Sequence, residues 1–134
     1  MKALTIREPF ASLVTYNLKC YETRSWPTKY RGPILIHAGL AKVNLKDERL
    51  KKLTNSLPKS NNPGHILCQA TLKDCILMTS DFIDKVKQNE KEYLAGHYEV
   101  GRYAWLLTDI KLIEPISYKG ALGLWNFPGP INML

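Results

Sequence analysis

Apolar and polar residues alternate through Lys2 to Ile6, where Ala3, Leu4 and Ile6 stand among β-branched neighbours, and this pattern predicts a short strand. Pro9 opens the next element. Phe10, Leu13, Val14 and Leu18 recur at spacings of three and four, the stripe of an amphipathic helix of about ten residues that ends near Asn17 to Lys19. Tyr21 to Trp26 reads as extended and is bounded by Pro27. Tyr30-Arg31-Gly32-Pro33 then turns the chain into the apolar run Ile34, Leu35, Ile36, a buried strand. Asn44 is placed to cap a second helix with Leu50 and Leu53 on its apolar side and Lys, Arg, Asp and Glu elsewhere. Pro58 to Gly64 is a loop by composition, and His65 to Met78 is one strand or a bent pair. Ser80-Asp81 caps a helix containing Phe82, Ile83 and Val86. Tyr103 to Ile113 alternates again, with Tyr103, Trp105 and Leu107 on one face, until Glu114-Pro115 stops it. A glycine-rich close from Tyr118 to Phe127 carries Trp125. About five to seven short strands and two or three helices predict an α+β fold around a mixed, barrel-like sheet.

Composition narrows the class of protein. The chain has 134 residues, enough for one domain with a real core, and residues 1–134 read as a single domain. Its residues are 45% apolar and 23% charged, and no apolar run is long enough to cross a bilayer, so a membrane span is excluded. The first residues lack the apolar core of a secretory signal, and a cytoplasmic location is expected. Cys20, Cys68 and Cys75 form neither a paired motif nor an even set, which fits free thiols in a reducing compartment. Nineteen Lys and Arg against twelve Asp and Glu give a net charge of +7, a field that attracts polyanions. A solvated face such as Lys46 to Lys52 accounts for part of that charge without any ligand.

Four motifs carry more specific information: TIREPFASLV; Lys19, Glu22, Arg24 and Trp26 in the pattern K-x-x-E-x-R-x-W; KYRGPILIHA; and GRYAWLL followed by KGALGLWNF. In this order and at these separations the chain resembles the ASCH domain from about Ala3 to Asn126. The resemblance implies a PUA-like β-barrel with flanking helices, and a cleft between barrel and helix for RNA, DNA or a nucleotide-like ligand. Some compact relatives are similar to amidohydrolases acting on acylated cytidine, others have been assigned nuclease activity, and longer ones resemble coregulator components, which implies a protein-interaction module as a further alternative.

Within the second motif, an extended Tyr21 to Trp26 projects Glu22, Arg24 and Trp26 from one face, and Lys19 stands at the corner leading into it. Arg24 can grip a phosphate or base edge, Trp26 can stack on a base, and Glu22 can accept an amine or a ribose hydroxyl. The structural alternative is an ion-pair network of Glu22, Arg24 and Lys19 with Trp26 in the core. Lys29, Tyr30 and Arg31 form a basic-aromatic rim, the first and last suited to phosphate. Arg102, beside a strand start, and Lys119, in a turn, complete the candidate ligand contacts for RNA, single-stranded DNA or a nucleoside or nucleotide. The amides opening the first helix, at Arg7 to Phe10, are a second place for phosphate, set against a capped helix with Phe10 in the core. His37 follows an apolar strand as a satisfied buried ring, and neither it nor His65 or His97 has metal-ligand spacing, so no metal and no cofactor are expected. The relatives that are amidohydrolases are similar in using a lysine, a hydroxyl and an acid. Lys19 matches the lysine, but Glu22 stands where the hydroxyl belongs, so the enzyme reading pairs Lys19 and Glu22 as base and acid.

Overall fold

The computed structural model of the protein describes residues 1–58 and 62–134. Six strands form one mixed sheet: β1 (Lys2–Glu8), β2 (Tyr21–Arg24), β3 (Gly32–Lys42), β4 (His65–Leu77), β5 (Tyr103–Ser117) and β6 (Leu124–Asn126). Their order is β2-β5-β4-β3-β1-β6, with β1 and β3 parallel and the other pairs antiparallel. Four helices accompany them: α1 (Phe10–Thr15), α2 (Glu48–Asn55), α3 (Ser80–Lys87) and α4 (Glu90–Leu94). The expected α+β class and strand number hold among the described residues, but the barrel does not close. β2 and β6 remain the ends of an open sheet.

The sheet nevertheless curls. β6 pairs with β1 only over Lys2 to Leu4, so the edge of β1 beyond Leu4 carries no strand partner from β6. There the Thr5 carbonyl accepts a hydrogen bond of 2.7 Å from Nη2 of Arg24 on β2, the strand at the far end of the order. The gap that backbone hydrogen bonds leave open is therefore bridged by a side chain. Inside the curl, Leu4 and Ile6 meet Ile34, Ile36 and Ala38 of β3, Cys68, Ala70 and Leu72 of β4, Trp105 and Leu107 of β5, and Ala11 and Val14 of α1. Ala3, Leu35, Ile66, Ile113, Trp125 and Phe127 form a second cluster, which pins the C-terminal segment to the sheet.

Local sequence explains where the elements begin and end. α1 has six residues rather than about ten, because Asn17 enters the left-handed region at φ 60°. Leu18 N–H then reaches the Leu13 carbonyl at 2.8 Å and Asn17 N–H the Val14 carbonyl at 3.1 Å, a Schellman ending in which Leu13 and Leu18 pack together. α2 is capped by Asp47, whose carboxylate accepts from Arg49 N at 2.8 Å, and not by Asn44. Thr79 does the same for α3 one residue before the expected Ser80, accepting from Phe82 N at 3.1 Å. α4, the helix beyond the two or three expected, is five residues capped by Asn89, too short to show an apolar stripe. β5 runs through Pro115, where a stop was expected, because its ladder with β4 shifts register between the Cys68–Leu112 and Ile66–Ile116 pairs and needs no amide from proline there. Of the expected loop Pro58 to Gly64, residues 59–61 lie outside the described residues.

Trp105 anchors this architecture. It is wholly buried in the main cluster, its ring meets that of Trp26 edge-on at 4.8 Å, and its Nε1 donates to the Trp26 carbonyl at 3.3 Å. Trp105→Ala should lower the unfolding free energy by about 3–5 kcal/mol, measured by urea titration. A loss under about 1 kcal/mol would show that the cluster closes over the missing ring.

Candidate functional site

Where the free edge of β1 faces β2, the curl leaves a cleft of about 770 Å³. Thr5, Ile6 and Arg7 line one side, and Glu22, Thr23 and Arg24 of β2 the other. Leu94 at the end of α4, the loop after it from Ala95 to His97, and the C-terminal turn Ala121 to Gly123 contribute further walls, with Phe10 of α1 and Gly39 to Ala41 of β3. That loop is held against β2 by the His97 N–H, which donates to Thr23 Oγ1 at 3.1 Å. Gly96 permits the approach, since a Cβ there would stand 2.6 Å from the Tyr98 ring and 3.1 Å from Thr23. At the mouth, Leu40 and Leu122 present their side chains to solvent, 79% and 98% exposed.

The charges in the cleft are unequal. Arg7, Arg24 and Arg102 face it with one lining carboxylate, Glu22. Glu22 is buried, and its Oε2 accepts from Arg24 Nη2 at 3.0 Å. Arg24 is thereby fixed between Glu22 and the Thr5 carbonyl, while its Nε is buried without an acceptor among the described residues. Arg102 is steadied by Nε donating to the His97 carbonyl at 3.1 Å, and Arg7 is exposed. His97 itself contacts the Glu99 carboxylate at 3.0 Å.

Beneath the floor lies Lys19, 3% exposed, with Nζ donating to the Ala95 carbonyl at 2.7 Å and standing 5.7 Å from the centroid of the Phe10 ring. Burial holds its ammonium below the usual lysine value, a shift that the nearby Glu22 and Glu92 carboxylates partly oppose. Glu92, also buried, accepts from the backbone amides of Cys20 at 2.7 Å and Tyr21 at 3.3 Å. Desolvation around the Cys20 sulfur, reinforced by Glu92, pushes that thiol up to about 12. Desolvation likewise raises Cys68 to about 11. Neither thiol is set up as a nucleophile at neutral pH.

The residues singled out in the sequence divide between this cleft and other places. Glu22, Arg24 and Arg102 line it, and Lys19 supports it from below. Trp26 lies outside the lining, packed on the core edge-on to Trp105, which is the structural alternative. Tyr30 also packs on the core and donates to the Pro33 carbonyl at 2.5 Å, and Lys29 is exposed and away from the lining. Arg31 faces Asp74 at 3.6 Å and donates to the Thr28 and Tyr30 carbonyls. Lys119 is exposed, two residues before the turn that forms the wall, and does not line the cleft. In the first turn of α1 the Ser12 amide already has an anion: the buried Glu8 carboxylate accepts from Ser12 N at 2.8 Å and Ser12 Oγ at 2.6 Å. Thr5, Leu40, Gly96 and Leu122 were not identified from the sequence. Thr5 and Leu122 lie within the motifs TIREPFASLV and KGALGLWNF, whereas Leu40 and Gly96 carried no such signal.

Among the described residues no helix is long and apolar enough to cross a membrane. A search of curated proteins finds no match. The family model of the ASCH domain, a PUA-like domain of RNA-binding and hydrolase type, matches residues 4–117. These residues hold β1 from Leu4 onward, β2 to β5, the four helices described and both β-strand walls of the cleft, and the chain therefore belongs to the ASCH domain family.

Proposed function

We propose that the protein binds single-stranded nucleic acid, RNA or DNA, with one nucleotide seated in the cleft. The observation that carries this reading is the convergence of Arg7, Arg24 and Arg102 on one concave site that holds a single lining carboxylate. Its volume of about 770 Å³ lies within the range of roughly 300–1,000 Å³ usual for small-molecule sites. Arg7 and Arg102, at the rim, contact the phosphates. Glu22 accepts an amine from the base edge, with Arg24 holding its carboxylate in place. Phe10 and the exposed Leu40 and Leu122 supply apolar surface for the base and sugar. Lys29, Tyr30 and Arg31 are left to the flanking chain, because they stand outside the lining.

A hydrolase built on Lys19 and Glu22 is less favoured. The lysine lies under the floor with its Nζ committed to the Ala95 carbonyl, and it does not line the cleft. Its role in this reading is support: it holds the α4 loop against Phe10 and so sets the depth of the site.

Titration of labelled RNA and DNA oligonucleotides tests the binding. Two phosphate contacts predict an affinity that falls about sevenfold when salt rises from 50 to 200 mM. Replacing Arg7 and Arg102 together by alanine should remove most of that salt dependence and weaken binding at low salt by about tenfold or more. Failure to bind at either salt, or full affinity in the double variant, would remove the reading.

The support role of Lys19 has a separate test. Its folded-state value is below 10.5, so between the two the unfolded chain holds more protons and native stability contributed by this group rises with pH. Urea titrations from pH 7 to 10 should show a shallower rise, or a steeper fall, in Lys19→Met than in the wild type. Parallel curves would mean that the ammonium is not buried in solution.

A further inference from the structure

A hydroxyl, an imidazole and a backbone carbonyl stand in series on the β1 side of the cleft. Thr5, a lining residue, holds Oγ1 3.2 Å from Nδ1 of His37, and Nε2 of the same ring lies 2.8 Å from the Tyr118 carbonyl. A carbonyl only accepts, so Nε2 carries the proton of the neutral ring. Nδ1 is then the acceptor, and the Thr5 hydroxyl donates to it. The indole N–H of Trp125, which can only donate, reaches the same Oγ1 at 3.1 Å. The oxygen thus has its proton aimed at a base and a lone pair held by a fixed donor.

The surroundings keep this arrangement rigid. His37 is 2% exposed and meets the Trp125 ring edge-on at 5.5 Å, which fixes the plane of the imidazole. Gly120 lies against both partners: a Cβ there would come within 2.6 Å of Thr5 Oγ1 and 2.8 Å of His37 Cε1, so only glycine leaves the hydroxyl and ring in contact. Arg24 brings its guanidinium to the same residue, 2.7 Å from the Thr5 carbonyl. Nucleophile, base and orienting acceptor are parts that covalent acyl transfer requires.

We propose that Thr5 and His37 are the nucleophile and general base of an esterase site in this cleft. Thr5 Oγ1 attacks the carbonyl carbon of a carboxylic ester, and the hydroxyl proton passes to His37 Nδ1. Nε2–H stays on the Tyr118 carbonyl. Collapse breaks the bond to the alcohol, which leaves with the proton from Nδ1, and the acyl group remains on Thr5. Water then attacks that ester, gives its proton to His37, and releases the free acid as Thr5 recovers its hydrogen. The orienting group is a neutral carbonyl and not a carboxylate, so it stabilises the imidazolium less. Esters, with their better leaving groups, are therefore the substrate class in preference to amides.

The test uses the full chain, a fluorophosphonate probe and p-nitrophenyl acetate. Peptide mapping should place the phosphonyl group on Thr5, and ester hydrolysis should fall by about a hundredfold in His37→Gln, whose amide can still donate to Tyr118 but cannot serve as the base. Thr5→Ser should keep both labelling and turnover, and Thr5→Val should lose both. If Thr5→Val does not fold, the labelling position in the wild type and the activity of Thr5→Ser still decide. A folded wild type labelled elsewhere or not at all, or unchanged hydrolysis in His37→Gln, would overturn the proposal. Neither probe contains a nucleotide, so labelling of Thr5 without oligonucleotide binding would keep this site and remove the binding reading.

Discussion

The guanidinium of Arg24 spans the gap that the sheet leaves between its β2 end and β1, and the cleft exists because this gap is bridged without being closed. Strand pairing there would have filled the space with backbone hydrogen bonds. The three-residue β6 covers β1 only as far as Leu4, so the Thr5 carbonyl is free to receive a side chain. Arginine suits the task because its fork presents several donors in one plane: one nitrogen serves both the Thr5 carbonyl and the Glu22 carboxylate. Removing either charge would leave its partner partly buried without compensation, which costs more than the pair itself gains.

The neighbouring buried charges follow the same logic. Each is committed to backbone near the cleft: Lys19 to the Ala95 carbonyl, Glu92 to the amides of Cys20 and Tyr21, Glu8 to the Ser12 amide in the first turn of α1. Together they tie α1, the start of β2 and the α4 loop into one wall. The crowding of ionisable residues between Lys19 and Arg31 is thus in large part architectural. The groups that hold the wall are committed to it, whereas Arg7 and Arg102 line the cleft with no ion-pair partner among the described residues.

Much of the architecture was legible in the chain. Period-two and period-three-to-four patterns located β1, α1 and β5, since burial of one face imposes those periods whatever the tertiary context, while β2 was read as an extended stretch bounded by Pro27 and β3 as a short apolar run. Boundaries were less legible. Helix ends depend on which polar side chain captures a free amide, and Asp47 and Thr79 won over Asn44 and Ser80 by geometry that composition does not encode. Trp26 lies two residues beyond β2, and although the sequence offered the core as one place for it, the edge-on contact with Trp105 of β5 that puts it there rests on strand pairing.

The sequence by itself determined the family, through motifs that keep their order along the chain, and the α+β class with its mixed sheet, through local periodicity; the Glu22–Arg24 ion pair stood in it only as one of two readings of the same strand face. Tertiary structure alone decided that the sheet curls without closing and that Thr5, Arg102 and Leu122 meet at one cleft. It also decided that Thr5, His37, Tyr118 and Trp125 join in one hydrogen-bonded chain. These residues are separated by up to 120 positions, and no local rule brings such groups together. Their meeting follows from strand order and from the way the C-terminal segment packs over the sheet.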